Sequence, residues 1–203
     1  MKITVIKAQV KNPERVSVFV DDRYSFSLSL DELVSQKLKK DEELSQADVK
    51  RFKKLSDDGK LRARSLEWLL NRPHSIREFK DYLYRKKADP ELTKAFIQEF
   101  IEKNYLNEYK FGEWLIDLQK RQGKSNRALR SELFKKGLER EMIDELMAAG
   151  GEGEVQRLKI LIAKKSDTSR YKNDPKKLAS YLVSQGFSYS QVKEALALNT
   201  QED

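Results

Sequence analysis

SNRALRSELFKKGLEREMIDEL, residues 125–146, spells two short amphipathic helices parted by a stop at Gly137, with Ser125 as the cap that opens the first of them. The same grammar stands about fifty residues earlier, in SIREFKDYLYRKKADPELTKAF (75–96), and about fifty later, in DPKKLASYLVSQGFSYSQVKEAL (174–196). Superposing the three stretches puts Phe79, Leu129 and Leu178 at one position, with Leu83, Leu133 and Leu182 four residues on. Carried further without a gap, Phe96, Leu146 and Ala195 coincide, as do Ile97, Met147 and Leu196. An amphipathic helix precedes each stretch: Ala63, Leu66 and Leu70 mark the first, Phe111, Trp114, Leu115 and Leu118 the second, Val155, Leu158 and Ile162 the third. The repeating unit is therefore a three-helix bundle. A unit this small buries little surface alone, so the expected architecture is mainly α: three tandem three-helix repeats in an elongated, curved array.

Ahead of the repeats the hydrophobic period is two. In RVSVFVDDRYSFSLSL (15–30), Val16, Val18 and Val20 share one strand face, and Tyr24, Phe26, Leu28 and Leu30 a face of the next, with Asp21 to Arg23 as the turn. With ITVIKAQV (3–10) they predict a small N-terminal antiparallel β meander, followed by helices. Ser29 and Glu32 form a capping box before Leu33, Val34 and Leu38, and SQADVKRFKKL makes a second polar helix that ends at a DDGK loop, 57–60. The implied divisions are 1–58 for the meander with its helices, then repeats at 59–107, 108–151 and 152–203. Further boundary signals are a Ser75–Glu78 box, Asp89-Pro90 and Asp174-Pro175 helix starts, a Ser188–Gln191 box, left-handed stops at Gly137 and Gly186, and loops at GGEGE (150–154) and KKSDTSRYKND (164–174).

Composition narrows the function. The chain has 203 residues, of which 38% are hydrophobic and 36% charged, and 41 Lys and Arg against 33 Asp and Glu give a net charge of +8. Such a balance suits an anionic partner, and equally a well-solvated surface. There is no cysteine, which removes disulfides, thiolate zinc sites and a Cys nucleophile together and suits a reducing cytoplasm. No run of about eighteen apolar residues and no signal peptide is present, so a soluble intracellular protein without a membrane partner is expected.

Catalytic signals are weak. The GKS at Gly123–Ser125 lacks the upstream glycine of a phosphate-binding loop, because Leu118 holds that place on a helix. His74 is the single histidine and precedes the Ser75 cap, leaving no partner for a metal cluster or a Ser-His relay. Asp21-Asp22 and Asp57-Asp58 fall in expected turns, and Trp114 lies on an apolar stripe. No enzyme, metal or cofactor is expected. The basic residues say more. Arg85, Lys86, Lys135 and Lys136 sit in last helical turns, where the macrodipole favours them, but Arg77, Arg127 and Lys176 recur at the second position of the same helix, where it opposes them. Arg130, with Lys120, Arg121 and Lys124, makes the middle repeat the most basic and forms a ridge suited to phosphates or to acidic side chains, although such stems also cover apolar surface.

The order LLNRPHSIREFKDYL (69–83), FIEKNYLNEYKFGEWL (100–115), RSELFKKGLEREMIDEL (130–146), LVSQGFSYSQVKEAL (182–196) closely resembles the RecX family of bacterial regulatory proteins. The resemblance runs from Ile3 to Leu198; its most specific parts are R-x-HS at Arg72–Ser75, YLNE at Tyr105–Glu108 and L-x-x-KG at Leu133–Gly137. Departures are Lys87, where the first repeat usually has Gly, and Ser184 and Gln185, where the other repeats are basic. The resemblance implies a non-enzymatic, monomeric cytoplasmic regulator. It would lodge along the groove of the RecA nucleoprotein filament and restrain strand exchange, coprotease activity and ATP hydrolysis, acting in homologous recombination, DNA repair and the SOS response. A direct single- or double-stranded DNA-binding helical protein is the alternative. The candidate filament- or DNA-binding residues are Arg72, Arg77, Lys80, Arg121, Lys124, Arg127, Arg130 and Lys176, with the middle repeat expected to dominate.

Overall fold

A computed structural model of the chain describes residues 1–149, 153–172 and 174–199. It opens with strands β1 (Ile3–Gln9), β2 (Asn12–Val20) and β3 (Arg23–Ser29), paired antiparallel in the order β1-β2-β3. The alternation sets the register: Val16 pairs with Leu28 and Val18 with Phe26, so their side chains enter one core with Ile3, Val20 and Phe52. Asp21 and Asp22 both have positive φ, the conformation that a tight right-twisted hairpin needs and that Asp tolerates. The Ser29–Glu32 capping box is present and opens α1 (Leu30–Ser35).

Residues 57–60 are not a loop: α2 runs unbroken from Gln46 to Leu70, started by a Ser45–Asp48 capping box. Gly59 serves close approach here, because a Cβ on it would lie 2.4 Å from Glu32 Oε1. The neighbouring Ser56 hydroxyl accepts from the Ser27 N–H (3.2 Å) and ties the helix to β3. With no proline in DDGK, i→i−4 hydrogen bonding simply continues, and the division expected at 58/59 falls inside a helix. Contacts instead separate a unit ending at Asn71 from one beginning at Arg72. The stripe along the second half of α2 is also displaced: Ser65 and Leu69 are buried, whereas Ala63 and Leu70 are exposed.

The second unit begins with α3 (Ile76–Arg85) and α4 (Pro90–Glu102), which pack on each other. Two complete trios follow: α5 (Glu108–Arg121), α6 (Asn126–Lys135) and α7 (Arg140–Ala149), then α8 (Glu154–Ser166), α9 (Pro175–Ser184) and α10 (Tyr189–Asn199). The superposed positions are the core ones. Phe79, Leu129 and Leu178, Leu83, Leu133 and Leu182, and Phe96, Leu146 and Ala195 are all buried. Each complete trio closes its own hydrophobic cluster, one around Phe111, Leu133 and Leu146, the other around Ile162, Leu182 and Phe187. Asp89 and Asp174 cap helices whose first residue is proline, and the Ser188–Gln191 box is made. Lys164–Ser166 belong to α8 rather than to a loop, and Gly150–Glu152 lie outside the described residues. No helix among the described residues is long and apolar enough to cross a membrane.

Candidate functional site

The second helices of the trios, α3, α6 and α9, are joined end to end by one repeated device. Ser75 and Ser125, both fully buried, accept the N–H of Glu78 and Ala128 (3.1 Å each) and so start α3 and α6. The first helical N–H of each goes to a carboxylate at the start of the next trio: Ile76 donates to Glu108 Oε1 (3.3 Å) and Asn126 to Glu154 Oε1 (2.7 Å). Burial pushes the Glu108 carboxyl up, and the Ile76 N–H only partly opposes it.

The opposite end of the following second helix completes the joint. Gly137 and Gly186 have φ of +92° and +101°. A Cβ on Gly186 would lie 2.3 Å from Ser125 Oγ and 2.7 Å from Ala128 Cβ, and one on Gly137 would lie 3.0 Å from Arg77 Cβ. Ser125 donates its N–H to the Gln185 carbonyl (3.0 Å), and Arg127 Nε donates to the Gly186 carbonyl (3.1 Å). The recurrence of a cation at the second helical position now has a cause. The α6 dipole disfavours Arg127, but the carbonyls that end α9 favour it, and the Arg77 stem covers Gly137 in the joint before. The third member, Lys176, is exposed.

Glu78 strengthens the first joint, and it is not the second half of a capping box. Its carboxylate is held by three other side chains instead: Arg72 Nη1 donates to Oε2 (2.9 Å), His74 Nδ1 lies 3.2 Å from the same oxygen, and Lys136 Nζ of the next trio donates to Oε1 (2.8 Å). Burial alone would raise the Glu78 carboxyl, but these three hydrogen bonds hold it far below the usual carboxylate range. Arg72 also donates to the Pro73 carbonyl and lies 4.8 Å above the Trp114 ring.

The candidate cations differ in their surroundings. Arg72, Arg77 and Arg127 are built into joints, and Arg130 pairs with Asp144. Lys80 is exposed and lies near enough to Glu108 to favour its charged form. Lys124 is half-buried and Arg121 is exposed at the end of α5. Among the described residues no three His, Asp or Glu side chains converge as a metal site.

A second repeated feature lies on the same helices. Tyr84, Phe134 and Val183 hold one position of the three second helices and are 84%, 68% and 37% exposed. Each follows the buried Leu83, Leu133 or Leu182, one residue off the apolar stripe, and so faces outward. In the first two repeats the next residue is an exposed cation, Arg85 or Lys135; in the third it is Ser184. Two large exposed rings beside cations thus stand at equal places in successive repeats. The sequence signal was an aromatic directly after a core leucine and directly before a basic residue.

Comparison with known proteins agrees with this architecture. The family model described as the regulatory protein RecX N-terminal domain matches residues 1–45. A regulatory protein RecX of Listeria innocua is 30% identical over 209 aligned residues, covering 100% of this chain and 77% of the relative. One from Bacillus pumilus is 30% identical over 200, covering 96% and 76%. A crystal structure of a regulatory protein RecX superposes with a TM-score of 0.72 at 20% identity, over 97% of this chain and 98% of that one. The crystal structure of RecX from Lactobacillus salivarius gives 0.54 at 19% identity, over 70% and 95%. The structural matches speak for the fold alone; with 30% identity sustained across the whole length, they leave one reading, that the chain belongs to the RecX family of regulatory proteins.

Proposed function

We propose that the protein is a non-enzymatic, monomeric cytoplasmic regulator that binds RecA nucleoprotein filaments and restrains their strand exchange, coprotease activity and ATP hydrolysis, thereby modulating recombination, DNA repair and the SOS response. The observation that carries this reading, beyond family membership, is the repeated exposed aromatic beside a cation at Tyr84-Arg85 and Phe134-Lys135. A filament repeats its own surface, so a partner with repeated contact points gains from engaging several at once. Aromatic and Arg side chains carry most of the energy of such contacts. Added to a preformed filament, the protein should lower ATP hydrolysis at well below one copy per protomer, and the Tyr84→Ala/Phe134→Ala variant should need at least tenfold more. Hydrolysis untouched at saturation would overturn the regulatory reading; an unchanged dose response of the double variant would overturn the assignment of the surface.

A second reading, direct DNA binding, is favoured by the same pairs, since exposed rings stack on bases while cations meet phosphates. Affinity for free DNA falling steeply with salt, together with inhibition that disappears in parallel, would favour it over protein docking.

A further inference from the structure

The second unit contains a basic cleft that neither the joints nor the exposed aromatics use. It has a volume of about 430 Å³ and lies where the ends of α5 and α8 meet α9, lined by Lys120, Arg121, Arg157, Lys164, Lys165 and Tyr181. Five of these six are cations, and no carboxylate is among its described lining residues. Lys120 and Arg121 end α5, and Lys164 and Lys165 end α8, so each pair is favoured by its own helix dipole. The dipoles account for each pair but not for both pairs pointing into one concavity.

The walls are held in place. Arg157 is 8% exposed, and its guanidinium donates to the Asn126 side chain at the start of α6. Tyr181 packs on Tyr171 with ring centroids 5.4 Å apart, and Lys165 Nζ lies 5.6 Å from the Tyr181 ring. Gly123, at φ +76°, turns the chain tightly enough that a Cβ there would lie 2.9 Å from Leu161 Cδ2, which brings the end of α5 onto α8. A fixed concavity with five positive groups and an aromatic wall concentrates anions and discriminates for several negative charges on one short chain.

We propose that this cleft binds a run of linked phosphates, two or three in succession, with Tyr181 as an apolar wall for an attached base. Such a run is offered by the polyphosphate tail of a free nucleotide or by consecutive phosphodiesters of a single strand. The site goes beyond the regulatory reading and uses none of its exposed aromatics, so either can fail alone.

The test is calorimetry on the full chain at low ionic strength with inorganic tripolyphosphate, ATP and a twelve-residue oligothymidylate. Tripolyphosphate should saturate one site per chain, and Lys164→Glu/Lys165→Glu should weaken it at least tenfold with the circular dichroism spectrum unchanged. Lys94→Glu, at an exposed position of α4, should change it less than twofold. Should the double reversal disturb folding, Lys164→Gln/Lys165→Gln is expected to weaken binding at least threefold. Competition names the source: tripolyphosphate displacing ATP but leaving the oligonucleotide bound points to a free nucleotide, and displacement of the oligonucleotide points to a strand. Failure of all three probes to saturate, or equal affinity in the wild type and both lysine variants, overturns the proposal.

Discussion

Gly186→Ala tests the joint between the second helices most sharply. At φ +101° an L side chain adds roughly 1–2 kcal/mol of backbone strain. The new methyl would also lie 2.7 Å from Ala128 Cβ and 2.3 Å from Ser125 Oγ. Neither neighbour can retreat cheaply, because Ala128 is in α6 and the Ser125 hydroxyl is the cap of that helix. Overpacking of this kind costs roughly 1–3 kcal/mol, so the expected loss is about 3 kcal/mol, or roughly 6–12 °C in Tm for a chain of this length. Gly137→Ala bears the same backbone strain, but its nearest contact, Arg77 Cβ at 3.0 Å, overlaps far less than the 2.3 Å and 2.7 Å contacts at Gly186, and about 1–2 kcal/mol is expected. Lys87, at the equivalent place in the first repeat with φ +57°, already carries a side chain and is exposed, so Lys87→Gly should stay within about 0.5 kcal/mol. Urea titrations followed by circular dichroism measure all three. A loss below 1 kcal/mol for Gly186→Ala, or a larger loss for Gly137→Ala, would show that the second helices do not meet as described.

Glu78→Gln should cost about 2 kcal/mol, less than a fully buried ion pair because Arg72 and Lys136 are each about a third exposed. Because the folded-state pKa of Glu78 is depressed, its contribution is complete above the ordinary carboxylate pKa and is lost as pH falls through about 5 and below; stability measured from pH 7 to pH 3 should fall less steeply in the variant. Glu154→Gln removes a charged acceptor from the α6 N-terminus and should cost about 1 kcal/mol, read by the same titration. Arg130→Ala should stay within about 0.5 kcal/mol, since its ion pair with Asp144 is half exposed on both sides.

Much of the fold could be read before any coordinates because its signals are local. A cap, a buried residue four positions on and a left-handed stop, Lys87, Gly137 or Gly186, each act within one turn, and all recur at fixed spacing from Ser75 to Leu196. Gly59 was misread for the opposite reason: a glycine that marks a loop and one that admits a neighbouring side chain look alike until Glu32 is seen above it. Glu78 satisfied the pattern of a capping box, but Arg72, His74 and Lys136 compete for its carboxylate, and Lys136 lies 58 residues away. The candidate site was harder still. Arg127 stands against its own helix dipole, yet its partner is the end of another helix, which periodicity within one helix cannot reveal.

Joint residues and the proposed contact residues thus lie side by side on the second helices. Buried serines, Arg77, Arg127 and the two positive-φ glycines face the neighbouring trio, where a change of one methyl disturbs packing. Tyr84 and Phe134 stand one residue outside the core leucines and contribute little to it, so their truncation should leave stability within about 0.5 kcal/mol. A charge reversal at Arg127 would therefore lower any inhibitory activity by loosening the joint, and could be mistaken for loss of a contact. Joint variants should lose activity in step with their urea midpoint, and the aromatic variants should lose it with the midpoint fixed. If Tyr84→Ala/Phe134→Ala unfolds as early as Gly186→Ala, the separation of scaffold from contact surface within these helices is wrong.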